Sequence, residues 1–166
     1  MSKKVYLMRH AKSDWSGYYV SDFERGLNKR GETHAPLMGK VLKDKEIKVS
    51  LIVTSPAKRA KLTAKSVAKE LGYETKKILI IEKIYEASAQ ELLDVINSID
   101  DRYDEVLIVG HNPSMTEIIN MLDNVTLDNL PTASVVGFSF RVRSFKDIKP
   151  KSGKFLFFEY PKKYKI

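Results

Sequence analysis

The chain has 166 residues, 43% of them hydrophobic and 30% charged, a mix that suits one globular domain spanning residues 1–166. It has no cysteine, which excludes disulfides and a cysteine nucleophile; no window reaches the roughly 18 apolar residues of a membrane span, and the run after Lys4 is too short for a signal peptide. The net charge of +8 comes from lysines spread along the chain and gathered only at Lys162, Lys163 and Lys165, so it reads as a solvated surface of a cytoplasmic protein with no nucleic-acid and no membrane partner.

The first strand is expected at 5–8, and it ends directly in Arg9-His10. A helix follows over about 28–44, with Pro36 inside it as a source of a kink. A second strand at 51–54 runs into Ser55-Pro56. There Ser55 is expected to cap a helix, with Pro56 at its first position and Gly72 at its end. Ala57, Ala60, Ala64, Val67, Ala68 and Leu71 recur in that segment at helical spacing. Short apolar runs at 78–81 and 106–109 resemble the first two strands, as segments buried on both faces do. Ser88 and Glu91 have capping-box spacing ahead of Leu92, Leu93, Val95, Ile96 and Ile99. Asn112-Pro113 opens a helix that carries Met115, Ile118, Ile119 and Leu122. After Pro131 two strand-like segments, 133–143 and 154–160, follow each other directly and are expected to pair antiparallel. The sum is an α/β fold: a three-layer α/β/α sandwich with a mostly parallel central sheet and an antiparallel C-terminal edge.

Ligands of such sheets bind beyond the carboxyl ends of the strands. Arg9-His10, Arg59 and Gly110-His111 all fall just past such ends. Arginine presents a planar, permanently charged donor fork that matches phosphate oxygens. A neutral imidazole is a competent nucleophile toward phosphorus. A second histidine, when protonated, adds a donor for the charge on a transferring phosphoryl group. Helix starts at Ser55-Pro56 and Asn112-Pro113 would turn backbone N–H groups toward the same place. Metal binding is the competing use of two histidines. Their immediate neighbours are cationic, however, and Arg9 would repel a metal ion, so no metal and no cofactor is expected.

Leu7-Met8-Arg9-His10-Ala11-Lys12 resembles the Arg-His signature of the histidine phosphatase superfamily, which includes the cofactor-dependent phosphoglycerate mutases. The run from Ser55-Pro56 through Arg59-Ala60 to Thr63-Ala64 is similar to that family's second motif, and Val109-Gly110-His111-Asn112-Pro113 resembles its third. The short length, Ser13-Asp14-Trp15 after the first motif and Leu130-Pro131-Thr132-Ala133 resemble the SixA-like branch, the phosphohistidine phosphatases. The likeness runs from about residue 4 to about residue 140.

The resemblance implies that His10 is the nucleophile and is transiently phosphorylated. It implies that Arg9 and Arg59 clamp the phosphate oxygens and that His111 completes the phosphate-binding pocket. Relatives that cleave esters use a carboxylic acid to protonate the departing oxygen. Glu86, after the third strand, is the candidate here, or else a solvated loop glutamate; Asp14, Asp22 and Glu24 are weaker ones. Asp22, Arg25 and Thr132 are candidate substrate contacts. Trp15, Tyr18, Tyr19 and Phe23 either rim the site or pack their loop against the body, and His34 reads as a surface or structural histidine. With little chain to spare between the motifs, the pocket is expected to be open and shallow. Such a pocket suits a phosphorylated protein carrying phosphohistidine. A small phosphorylated substrate or a mutase-like transfer is the alternative within enzymes, and a non-catalytic phosphate-binding module is the alternative outside them.

Overall fold

The computed structural model describes residues 2–17, 20–124 and 126–164. Six strands form one sheet: β1 (Lys3–Arg9), β2 (Leu51–Thr54), β3 (Leu79–Ile80), β4 (Glu105–Gly110), β5 (Val135–Phe140) and β6 (Lys154–Glu159), in the spatial order β3-β2-β4-β1-β5-β6. β2 pairs parallel with β3 and β4, and β4 pairs parallel with β1. β5 runs antiparallel to β1 and β6 antiparallel to β5, with a bulge between Gly137 and Phe138. The C-terminal edge is therefore antiparallel, as the directly joined pair of apolar segments implies.

Alternation along the strands explains the layering. In β1, Tyr6 and Met8 enter one core and Val5 and Leu7 the other. The first core is completed by α1 (Lys29–Asp44) and α2 (Lys58–Leu71). The second is completed by α3 (Ala89–Asn97) and α4 (Ser114–Leu122). Every side chain from Val5 to Met8 is at most 2% exposed. Each such aliphatic side chain contributes on the order of 1.5–3 kcal/mol through burial, which leaves a central strand like β1 little freedom to shift register. Alanines at 60, 64 and 68 keep the α2 face thin, so α1 packs close.

Local chemistry sets the ends of the helices. Asn28 caps α1 by accepting from Gly31 N, and Ser88 with Glu91 forms the expected capping box. Gly72 closes α2 at φ 73°, a left-handed conformation that costs glycine nothing. The start of α2 differs from expectation. Its N-cap is Ala57, with no side-chain cap, and Pro56 lies outside the helix. The Ser55 hydroxyl is used elsewhere, as described below. The third strand also differs: β3 has two residues, both exposed, at the sheet edge. A short apolar run looks the same whether its strand is central or marginal.

Candidate active site

Parallel pairing brings three strand ends together. Arg9 lies opposite Gly110, and Thr54 opposite Val109. The register continues one step beyond the strands: His10 N donates to the Gly110 carbonyl at 3.0 Å and Ser55 N to the Val109 carbonyl at 3.1 Å. His10 and His111 therefore emerge side by side, with ring centroids 5.2 Å apart.

The environment of His10 determines its state. Its Nδ1 lies 2.7 Å from the Ala11 carbonyl. A carbonyl only accepts, so Nδ1 carries the hydrogen and Nε2 presents its lone pair. Burial pushes the His10 pKa down to about 3, with His111, Arg59 and Arg9 adding to the effect against the opposing Ala11 bond. The ring is thus neutral at ordinary pH. Its Nε2 faces Arg59 Nε at 3.4 Å.

His111 is built differently. Its Nε2 is 2.7 Å from Ser55 Oγ, while its Nδ1 is buried without a partner. Burial and then Arg59 push its pKa down to about 4. It is therefore neutral in the ligand-free site. Ser55 Oγ also accepts from Ala57 N at 3.2 Å. The hydroxyl expected to cap α2 thus holds a histidine and one N–H of the preceding turn. The N–H of Lys58 is taken by the Phe23 carbonyl at 3.0 Å. Two of the N–H groups at this helix start, those of Ala57 and Lys58, are therefore committed internally.

Two of the arginines, Arg25 and Arg59, are joined by one carboxylate. Arg59 is buried; it donates to the Asp22 carbonyl at 2.6 Å and to Asp22 Oδ2 at 3.1 Å. Arg25 Nη2 donates to Asp22 Oδ1 at 2.9 Å, and Nη1 donates to Ser13 Oγ. The Tyr85 hydroxyl donates to Asp22 Oδ2 at 2.7 Å, and that bond with the Arg25 and Arg59 contacts holds the Asp22 carboxyl well below the usual range. Asp22 is thus ionised and cannot serve as an acid near neutral pH, which removes it from the acid candidates. Trp15 is exposed and stacks on the Arg25 guanidinium at 3.5 Å, so it rims the site. Phe23 packs edge-on against Tyr85, whose ring in turn packs against His111. Tyr18 and Tyr19 lie outside the described residues. Arg9 is fixed by a bond from Nη1 to the Leu130 carbonyl at 3.0 Å. Its Nε, like that of Arg25, is buried and unpartnered.

Arg9, His10, Arg25, Arg59, His111 and Thr132 line a shared cavity of about 210 Å³, together with Lys12, Ser13, Trp15 and Asn112. Of the catalytic and contact candidates expected from sequence, four do not line it: Asp14, Asp22, Glu24 and Glu86. Asp22 stands behind the arginines. Glu86 is exposed and absent from the lining. At φ 60° its backbone is left-handed, and Tyr85, one residue earlier, faces the site instead. Tyr85, Ser55, Lys12, Ser13 and Asn112 have no site role from sequence; all but Tyr85 lie in the stretches that carry the family resemblance, which is the available signal. Among the described residues no group of three or more His, Cys, Asp or Glu is placed to hold a metal ion. No helix among them is long and apolar enough to cross a membrane.

Two neutral histidines just past the ends of parallel strands β1 and β4, with Arg9 at the end of β1, Arg59 in the first turn of α2 and Arg25 from the β1–α1 segment, share one cavity, which is the arrangement of a histidine phosphatase. The family model for the histidine phosphatase superfamily (branch 1) matches residues 5–92, and the chain belongs to that family. Among solved structures it is similar to a protein assigned as the phosphohistidine phosphatase SixA from Agrobacterium tumefaciens. That match has 26% identity over 96% of this chain and 98% of the other, at a TM-score of 0.79. A protein histidine phosphatase SixA solved with tungstate shares the fold at a TM-score of 0.82, with 18% identity and coverage of 98% and 99%. An uncharacterised chloroplastic protein of Arabidopsis thaliana is 26% identical over 135 residues, which is 76% of this chain; the match spans 62% of the plant protein's length.

Proposed function

We propose that this chain is a phosphatase that removes phosphate from phosphohistidine displayed on a protein, through a phosphoryl group carried transiently on Nε2 of His10. The observation that carries the reading is the state of His10: hydrogen committed at Nδ1, lone pair at Nε2, and neutral by burial. The Nε2 lone pair attacks phosphorus as the substrate's P–N bond breaks, and the departing imidazole takes a proton from solvent. Water then attacks the phosphorylated His10, the N–P bond breaks, and inorganic phosphate leaves with His10 neutral again. The Arg9, Arg25 and Arg59 guanidiniums meet the phosphoryl oxygens. His111 adds a donor at Nδ1 when Ser55 donates to its Nε2. The unpartnered nitrogens of Arg9, Arg25 and His111 are the groups an oxyanion satisfies.

The leaving group supports the substrate class. An alkoxide needs a proton from an acid, and the lining holds no carboxylic acid: Asp22 is ionised behind the arginines and Glu86 is outside. An imidazole leaves more readily without one. The relatives named as SixA point the same way. Brief incubation with a labelled phosphohistidine protein is expected to give an acid-labile, base-stable phosphoenzyme at His10, unaffected by EDTA. A label that survives acid, or that maps to another residue, refutes the nucleophile. A panel of phosphohistidine proteins and common phosphoesters tests the substrate, and faster turnover of the esters refutes that part.

A further inference from the structure

A second cavity, of about 320 Å³, lies beside the His10 pocket. Arg9, Lys12 and Thr132 line both, so the two are contiguous. The second is completed by Arg30 and His34 from the first turns of α1, and by Lys162 from the turn Pro161–Lys163. Four permanent cations from three separate chain segments thus converge on one concavity, and no carboxylate lines it. None of the ion pairs among the described residues uses Arg9, Lys12, Arg30 or Lys162.

Unopposed like charges repel, and helical neighbours four residues apart such as Arg30 and His34 face one another. Burial and the Arg30 charge lower the pKa of His34. A concave cluster that costs stability when empty is relieved by an anion, because low-dielectric walls concentrate its field. We propose that this cavity is a subsite for a second anionic group, a carboxylate or phosphate, carried by the same molecule whose phosphoryl group enters the His10 pocket. The subsite extends the phosphatase reading from the phosphoryl group to the rest of the substrate: it selects molecules acidic next to the reacting phosphate. Arg9 and Lys12 bridge the two anions, while Arg30 and Lys162 serve the second alone.

The test pairs isosteric probes that differ only in charge. On the His10→Asn variant, which binds without turnover, 4-carboxyphenyl phosphate is compared with 4-carbamoylphenyl phosphate by calorimetry. A second pair is a phosphohistidine peptide flanked by glutamates and the same peptide flanked by glutamines. The charged member is expected to bind about three- to tenfold tighter, the yield of a partly exposed charge-assisted contact. The ratio is expected to fall toward one when Arg30→Gln and Lys162→Gln are added together. Each ratio is taken within one variant, so a general loss of active protein cancels. A preference in the peptide pair alone assigns the anion to a protein side chain; in the aryl pair alone, to a small molecule. Equal binding in both pairs, or a preference that survives the double substitution, overturns the subsite. If wild-type protein hydrolyses none of these probes while the ratios behave as expected, the phosphatase reading fails and the subsite stands.

Discussion

Neutral His10 makes the folded state sensitive to acid, and the sensitivity has a definite size. In the unfolded chain His10 titrates near its ordinary value of 6.5, whereas in the folded protein it titrates near 3. Between those values the unfolded state binds a proton that the folded state refuses. Stability attributable to this site is therefore intact above pH 6.5, is lost as pH falls, and reaches its full loss near pH 3. From pH 7.5 to pH 5.0 the linkage relation yields about 2 kcal/mol for this residue alone. His111, near 4 when folded, loses stability over the upper part of the same range, and Asp22 adds its own loss at lower pH. The total slope of the wild type thus mixes several groups, and a difference between variants isolates one. His10→Asn removes the titrating ring and retains a polar side chain. Urea unfolding at pH 7.5 and 5.0 is expected to show the variant losing about 2 kcal/mol less than the wild type on acidification. Equal losses would mean that His10 protonates freely inside the fold, and the case for an unprotonated Nε2 would fall with that result.

Three further outcomes follow from the geometry. Asp22→Asn removes the carboxylate that competes for Arg59 and Arg25, so inorganic phosphate should inhibit about three- to tenfold more tightly; weaker inhibition would show that Asp22 chiefly positions those arginines. A Cβ at Gly31 would overlap the Lys12 carbonyl, so Gly31→Ala is expected to cost about 1–3 kcal/mol and lower Tm by several degrees in a thermal melt; an unchanged Tm would show that the Lys12 loop yields at no cost. Glu86→Gln should leave cleavage of both phosphohistidine and alkyl phosphates unchanged, because Glu86 lies outside the cavity; a selective loss of alkyl phosphate cleavage would make Glu86 the acid and contradict the leaving-group argument.

Much of the fold could be read from the residues because the central strands have no polar face. Val5 to Met8 and Val106 to Val109 are apolar throughout, as strands covered on both sides must be. The same rule misplaced β3, since Leu79 and Ile80 are apolar yet lie exposed at the edge. Sequence order also located the site, because chain ends of parallel neighbours meet wherever the register puts them. What it could not reveal were the pairings across the cavity. Ser55 suits a helix cap by every local rule, yet its hydroxyl lies 2.7 Å from His111, 56 residues away. Asp22, Arg25 and Arg59 were each visible, but not that a single carboxylate joins both arginines. Glu86 missed by one residue: its left-handed backbone leaves Tyr85 facing the site, and no composition rule foretells that turn.

The bridge between Ser13 and Leu27 ties together the two ends of the segment that carries Trp15, Asp22, Phe23 and Arg25. Its closure is reinforced by the bond from Asp14 N to the Gly26 carbonyl at 2.8 Å. A loop pinned at its neck pays its closure entropy once, and each doubling of its length adds only about 0.6 kcal/mol. The part of the segment before Asp22 is thus an exchangeable cassette: it can be lengthened or swapped while His10 and His111 stay where the strands put them and Asp22, Phe23 and Arg25 keep hold of Arg59 and the start of α2. Specificity for one phosphorylated partner over another can then evolve, or be engineered, in a stretch of chain that the core does not depend on.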